Sequence, residues 1–147
     1  MLNKDQMEIS IKYSKLDNIK ASPTLFFEFH GSEESNKEAI KIVEELSKNN
    51  GGSDFKWAES IEERNKLWKA RHDVYYSVKA LGNNMKVYST DVCVPISKLV
   101  ECISWAEKAT KEYGLIAPMV GHVGDGNFHS IISVSYTHLT LPTTPYV

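Results

Sequence analysis

No run in this sequence reaches the ~18 consecutive apolar residues that a membrane-spanning helix needs, so no transmembrane segment is expected. Basic blocks are missing too. The 17 Lys and Arg are interleaved with 19 Asp and Glu, for a net charge of −2. That balance argues against a nucleic-acid partner. Cysteine is scarce: Cys93 and Cys102 are the only two. They are not spaced like a zinc knuckle, and the simplest reading is two free, buried thiols in a reducing compartment. The opening residues 1–20 mix acids and bases around no apolar centre, which fits neither a secretory signal nor a transit peptide. A glycine-rich nucleotide fingerprint is absent, so the chain is not expected to hold a nucleotide cofactor by itself.

What is present is ordinary for a globular protein. The chain has 147 residues, 41% hydrophobic and 24% charged, enough for one domain with a real core and hardly for two. Residues 1–22 are polar and weakly patterned. Thr24–His30 (TLFFEFH) reads as a strand closed by Gly31. A helix follows, with Ser35 and Glu38 as a capping box, Ala39, Ile40, Val43 and Leu46 on its apolar face, and Asn49–Gly52 as its stop. A second helix starts at the capping box Ser60/Glu63, runs through Trp68 to Val78, and breaks at Gly82-Asn83-Asn84. Val87–Val94 reads as a strand ended by Pro95. Ser97 is a candidate cap for a third helix, with Leu99, Val100, Ile103, Ala106 and Tyr113 as anchors and Gly114 as its stop. Leu115–Val123 and Phe128–Val134 are two strands around Gly124-Asp125-Gly126-Asn127. This order predicts an α+β fold, a ferredoxin-like, mostly antiparallel sheet with helices packed on one face.

Residues 135–147 (SYTHLTLPTTPYV) differ from the rest. They hold no charged side chain, four threonines and two prolines, with no sustained period. The domain is therefore expected to occupy 1–134, with 135–147 a tail foreign to it; the alternative is a native extended arm.

The stretch that carries chemistry is Gly121-His122-Val123-Gly124-Asp125-Gly126-Asn127-Phe128-His129. Asp125-Gly126 is a strong hairpin signal. With Gly124–Asn127 as the loop, Val123 pairs with Phe128 and His122 lies opposite His129, on the same face. Two imidazoles placed so can ligate one metal ion, although a third ligand and an open position are still needed. Equally, the two histidines can be ordinary hydrogen-bonded strand residues, and Asp125 can simply cap the turn. Trp68, Arg71 and Tyr75 recur at helical spacing on one face, where an arginine fork can hold a carboxylate; alone, Arg71 is also an unremarkable solvated charge. Tyr88-Ser89-Thr90-Asp91 either lines a pocket or forms a polar edge strand.

Four segments together resemble the FAD-linked oxidases of the vanillyl-alcohol-oxidase type: Pro23–Gly31 (PTLFFEFHG), Asp54–Tyr76, Tyr88–Pro95 (YSTDVCVP) and Gly121–His129 (GHVGDGNFH). YSTDVCVP points to the branch of flavin-linked, mitochondrial D-lactate dehydrogenases. The resemblance implies that this chain is the cap domain that builds the substrate pocket over an FAD bound mainly elsewhere. It also implies that His122 and His129 ligate zinc or manganese and that Arg71 holds the substrate carboxylate. The third ligand and the catalytic base are implied in a Glu-His-Gly segment beyond Val134, where the odd tail stands instead, so the chain is expected to be a partial domain, inactive alone. Tyr75 and Ser89 stand where D-2-hydroxyglutarate relatives have threonine and lysine, which implies a monocarboxylic D-2-hydroxy acid as substrate. Two other classes stay open: a stand-alone metal-binding or interaction module, and a cofactor-independent metallohydrolase using the same histidines.

Overall fold

The structure of the protein, a computed structural model, describes residues 1–16, 19–58, 60–82 and 85–135. They fall into two compact units, Met1–Leu25 with Trp68–Val147, and Phe26–Leu67.

The first unit opens with Leu2, which makes single antiparallel bridges to Thr24 and Val120. Helix α1 (Lys4–Ser14) follows, in a region that read as polar and weakly patterned. Its anchors are mostly polar, which is why periodicity did not reveal it. Asn3 caps it, Oδ1 accepting from the Gln6 N–H at 3.0 Å and from the Met119 N–H at 2.9 Å. The Asn3 amide donates to Glu107 Oε1 at 2.8 Å. Buried Gln6 donates to Ser10 Oγ at 3.0 Å and to Ser77 Oγ at 3.1 Å. Only Met7 of α1 is a fully buried apolar side chain.

In the second unit α2 (Glu33–Asn49) is capped by Ser32, not by Ser35. The Ser32 hydroxyl accepts from the Ser35 N–H at 3.2 Å, so the helix begins three residues earlier than expected. Its end at Asn49-Asn50-Gly51 is where the sequence put it. The aromatic run before it is not a strand. Thr24 keeps a single bridge, and Leu25–His30 are irregular. A strand needs a neighbouring strand for its backbone groups, and beyond the Thr24 bridge no ladder runs along this stretch among the described residues. Instead Phe27 and Phe29 stack on each other, centroids 6.2 Å apart.

The capping box at Ser60 forms as expected. Glu63 N–H donates to Ser60 Oγ at 3.1 Å, and Ser60 N–H to Glu63 Oε2 at 3.3 Å. Ser60→Ala should cost about 1 kcal/mol locally, read as roughly five-fold faster hydrogen exchange at the first amides of α3 (Ile61–His72); unchanged exchange would show the box to be idle. The expected single helix is interrupted at Asp73 (φ −78°, ψ 0°), and α4 (Val74–Lys79) continues beyond it. Asp73 is engaged from two sides, accepting from Lys69 Nζ at 2.6 Å and Ser14 Oγ at 2.8 Å. These bonds hold its carboxyl below the ordinary range. Of the expected break at Gly82-Asn83-Asn84, Asn83 and Asn84 lie outside the described residues.

Strands β1 (Met85–Ser89) and β2 (Val92–Cys93) lie along one edge of the long strand β4 (Asn127–Ser135). Between them in sequence, α5 (Ile96–Glu112) leads to β3 (Met119–His122), which pairs with the other edge of β4. All pairing is antiparallel, and β4 is central. Helix α5 is capped at Pro95 without a side-chain bond. Ser97, the expected cap, is its second residue, because the helix starts directly after the proline turn. Of the expected anchors Leu99 is buried, whereas Val100 (76%) and Tyr113 (81%) face solvent.

Leu99 packs on Met119 and Phe128, with Val92, Cys102 and Ala106 around them. Successive strand residues point to opposite faces. Phe128 and Ser130 are buried on the α5 side, and Ile131 and Ser133 are buried on the other. Helices were expected on one face; α5 covers that one, and α4, with Val74 and Val78 buried, touches β1 and β4 as well. Both cysteines are free, as expected, but Cys93 is exposed because Val92, not Cys93, faces the α5 core. Residues 136–147 lie outside the described residues, so the tail expectation falls there, save that Ser135 ends β4.

Candidate active site on the hairpin

The β3–β4 hairpin turns through Val123–Gly126, with a 3₁₀ turn at Val123–Asp125 and Gly126 at φ +71°. That conformation suits glycine. The position is also crowded: an added Cβ would run into the Val94 carbonyl oxygen, and Val94 N–H donates to Gly126 O at 2.9 Å.

The loop sits one residue earlier than expected, and this corrects the pairing. His122 faces Asn127, and His129 faces Val120; the two histidines are not opposite each other. Asn127 is drawn into the strand because its amide donates to Asp91 Oδ1 at 2.8 Å and to Val92 O at 3.2 Å. A slip of this kind moves the partner by two residues, so parity survives and both histidines keep one face. Diagonal neighbours of this sort lie about 7–8 Å apart.

The hydrogen bonds fix both imidazole tautomers. His129 Nδ1 lies 2.7 Å from the Thr90 carbonyl oxygen. A carbonyl only accepts, so Nδ1 carries a hydrogen, and in the neutral ring Nε2 keeps its lone pair. Asp91 Oδ1 stands 3.6 Å from the same Nδ1. His122 Nε2 lies 3.1 Å from Arg71 Nη2. A guanidinium only donates, so this Nε2 is also unprotonated.

Arg71, in the last turn of α3, is half-buried, and burial pulls its guanidinium below the ordinary value. The grouping expected on its helix face is divided. Trp68 packs on His72, centroids 5.9 Å apart. Tyr75 falls beyond the break at Asp73, against Tyr76. It lines a cleft of about 300 Å³ with Lys79, Met85 and Tyr88. The structure thus brings Arg71 to His122, and Thr90 and Asp91 to His129. Sequence reasoning missed the parts played by Thr90, Asp91 and Asn127. The polar run Tyr88–Asp91 was a signal for two of them; Asn127 looked like a turn residue. Among the described residues, no group of three or more His, Cys, Asp or Glu is placed to hold a metal ion, and no helix is long and apolar enough to cross a membrane.

The chain is also similar to known proteins. The family model described as FAD linked oxidases, C-terminal domain, matches residues 1–138. A probable mitochondrial D-lactate dehydrogenase of Danio rerio is 52% identical over 111 residues, which cover 76% of this chain and 22% of that protein. A mitochondrial D-lactate dehydrogenase [cytochrome] of Arabidopsis thaliana is 37% identical over 129 residues, 87% of this chain and 23% of that protein. One from Kluyveromyces lactis, also named mitochondrial, is 37% identical over 121 residues, 79% and 21% of the two chains. The matched part of this chain therefore covers about a fifth of the length of these relatives. The chain belongs to the C-terminal domain family of the FAD-linked oxidases.

Proposed function

We propose that this chain works as the substrate-side part of a longer, mitochondrial flavoprotein that oxidises D-lactate, or a similar D-2-hydroxy monocarboxylic acid, to the 2-oxo acid. The observation that carries this reading is the Arg71 guanidinium held 3.1 Å from His122, on a hairpin face that also carries His129. The names of the relatives support the substrate class. Tyr75 and Ser89 in place of threonine and lysine support an acid with one carboxylate.

Arg71 is assigned to the substrate carboxylate. Its planar fork suits two parallel hydrogen bonds, and its partial burial strengthens them. Held there, the acid presents its hydroxyl toward His122 and His129. The flavin, for which these residues offer no glycine-rich cradle, supplies the hydride acceptor when bound.

His122 and His129 are assigned as two ligands of a divalent metal, zinc or manganese. The fit is good at His129, whose Nδ1–H is satisfied by a backbone carbonyl and whose Nε2 is bare, the usual arrangement behind a metal-bound histidine. At His122 the Nε2 lone pair is taken by Arg71, so a cation binds there only when the guanidinium turns away, which a substrate carboxylate favours. A bound ion would polarise the substrate hydroxyl.

The test is anaerobic flavin reduction in the flavoprotein that carries this chain. D-lactate should bleach the visible flavin band, and L-lactate should not. D-2-hydroxyglutarate should act at least ten-fold more slowly, about 1.4 kcal/mol of discrimination. Equal rates with the two D-acids would remove the monocarboxylate assignment.

A further inference from the structure

We propose that Thr90 is a positioning residue for His129, releasing its own carbonyl from the sheet in order to fix the tautomer of that imidazole. The proposal rests on the assignment of His129 as a ligand made above.

Strands β1 and β2 share one register on β4. Ser89 faces Ile131 and Val92 faces Phe128, so Thr90 and Asp91 fall opposite Ser130 and His129 with no residue inserted. Nothing in the backbone path therefore calls for a break, yet the ladder is interrupted at these two residues. In a regular hydrogen-bonded antiparallel pair, the two residues exchange both N–H···O bonds. Half of that exchange is present, Thr90 N–H donating to Ser130 O at 3.0 Å. The other half is replaced: Ser130 N–H donates to the Thr90 side-chain Oγ1 at 2.9 Å.

The substitution leaves the Thr90 carbonyl outside the ladder, where it accepts from His129 Nδ1 at 2.7 Å. Ser89 Oγ donates to the same oxygen at 3.3 Å. A hydroxyl on residue 90 is the feature that makes this exchange possible. Without it, the Ser130 N–H must recover the residue-90 carbonyl or remain buried and unpaired. Asp91 contributes from the neighbouring position, 3.6 Å from Nδ1 and bonded to Asn127. The outcome is an imidazole with its hydrogen on Nδ1 and its lone pair on Nε2.

The test uses the chain labelled with ¹⁵N at histidine, at pH 8, above the ordinary histidine pKa of about 6.5. Long-range proton–nitrogen spectra report the tautomer. The wild-type chain should show His129 in the Nδ1–H form, and Thr90→Ser should match it. Thr90→Val should shift the population toward Nε2–H and weaken zinc binding, titrated by calorimetry, about ten-fold. Wild-type His129 in the Nε2–H form would overturn the proposal even if Thr90→Val failed to fold. So would a folded Thr90→Val with an unchanged tautomer. Zinc binding unaffected by His129→Ala would sink the ligand assignment instead, and with it the purpose given to Thr90, whatever the tautomer.

Discussion

Arg71→Lys should lower kcat/KM for D-lactate by about a hundred-fold in the flavoprotein, with the flavin spectrum unchanged. Lysine keeps the positive charge but presents a point cation in place of a planar fork, so the carboxylate loses one of two parallel bonds and its fixed orientation. Misplacement of a substrate by about 1 Å is enough for a loss of that size. The site adds a second reason. Arg71 Nη2 reaches His122 Nε2 at 3.1 Å from the last turn of α3, and the shorter reach of a lysine head group would leave that imidazole free to rotate. The effect should fall on both kcat and KM, since carboxylate binding and hydroxyl placement are both disturbed. Kinetics equal to the wild type would remove Arg71 from the substrate site.

Gly126→Ala should destabilise the domain by about 3 kcal/mol, measured by urea unfolding. The left-handed conformation costs a residue with a Cβ about 1–2 kcal/mol, and Gly126 adopts it at φ +71°. The new methyl would also meet the Val94 carbonyl oxygen, which is backbone and cannot rotate aside. Relief requires moving the turn away from Val94, which breaks the Val94 N–H to Gly126 O bond of 2.9 Å and loosens β2 from β4. Because the same turn joins the strands that carry His122 and His129, the zinc affinity proposed for that pair should fall along with stability. A loss below about 1 kcal/mol would mean that the turn adapts, and that its geometry does not hold the site.

These two positions also show what could be read from the sequence. The glycine at 126 was legible because an Asp-Gly pair between two apolar runs has a local cause. The shared face of His122 and His129 was legible for a similar reason: strand parity survives a slip of two in pairing. The exact partners were not, because the register depends on Asn127 bonding to Asp91, far away in sequence. Helix ends followed the same rule. Ser60 with Glu63 is an unambiguous box, whereas Ser32 and Ser35 both precede the apolar face of α2, and it is Ser32 that accepts from the Ser35 N–H. Helix α1 escaped notice because Asn3, Gln6 and Ser10 anchor it through hydrogen bonds rather than an apolar stripe. Thr24–His30 was misread as a strand because β propensity says nothing about whether a neighbouring strand exists. The part played by Thr90 is of the least legible kind, a side chain that stands in for its own backbone.

The most direct measurement of the central claim is a structure of the flavoprotein with D-lactate bound. The account predicts both carboxylate oxygens on the Arg71 guanidinium, Arg71 turned away from His122, and the substrate hydroxyl facing the Nε2 atoms of His122 and His129. A carboxylate bound elsewhere, with Arg71 still on His122, would contradict it.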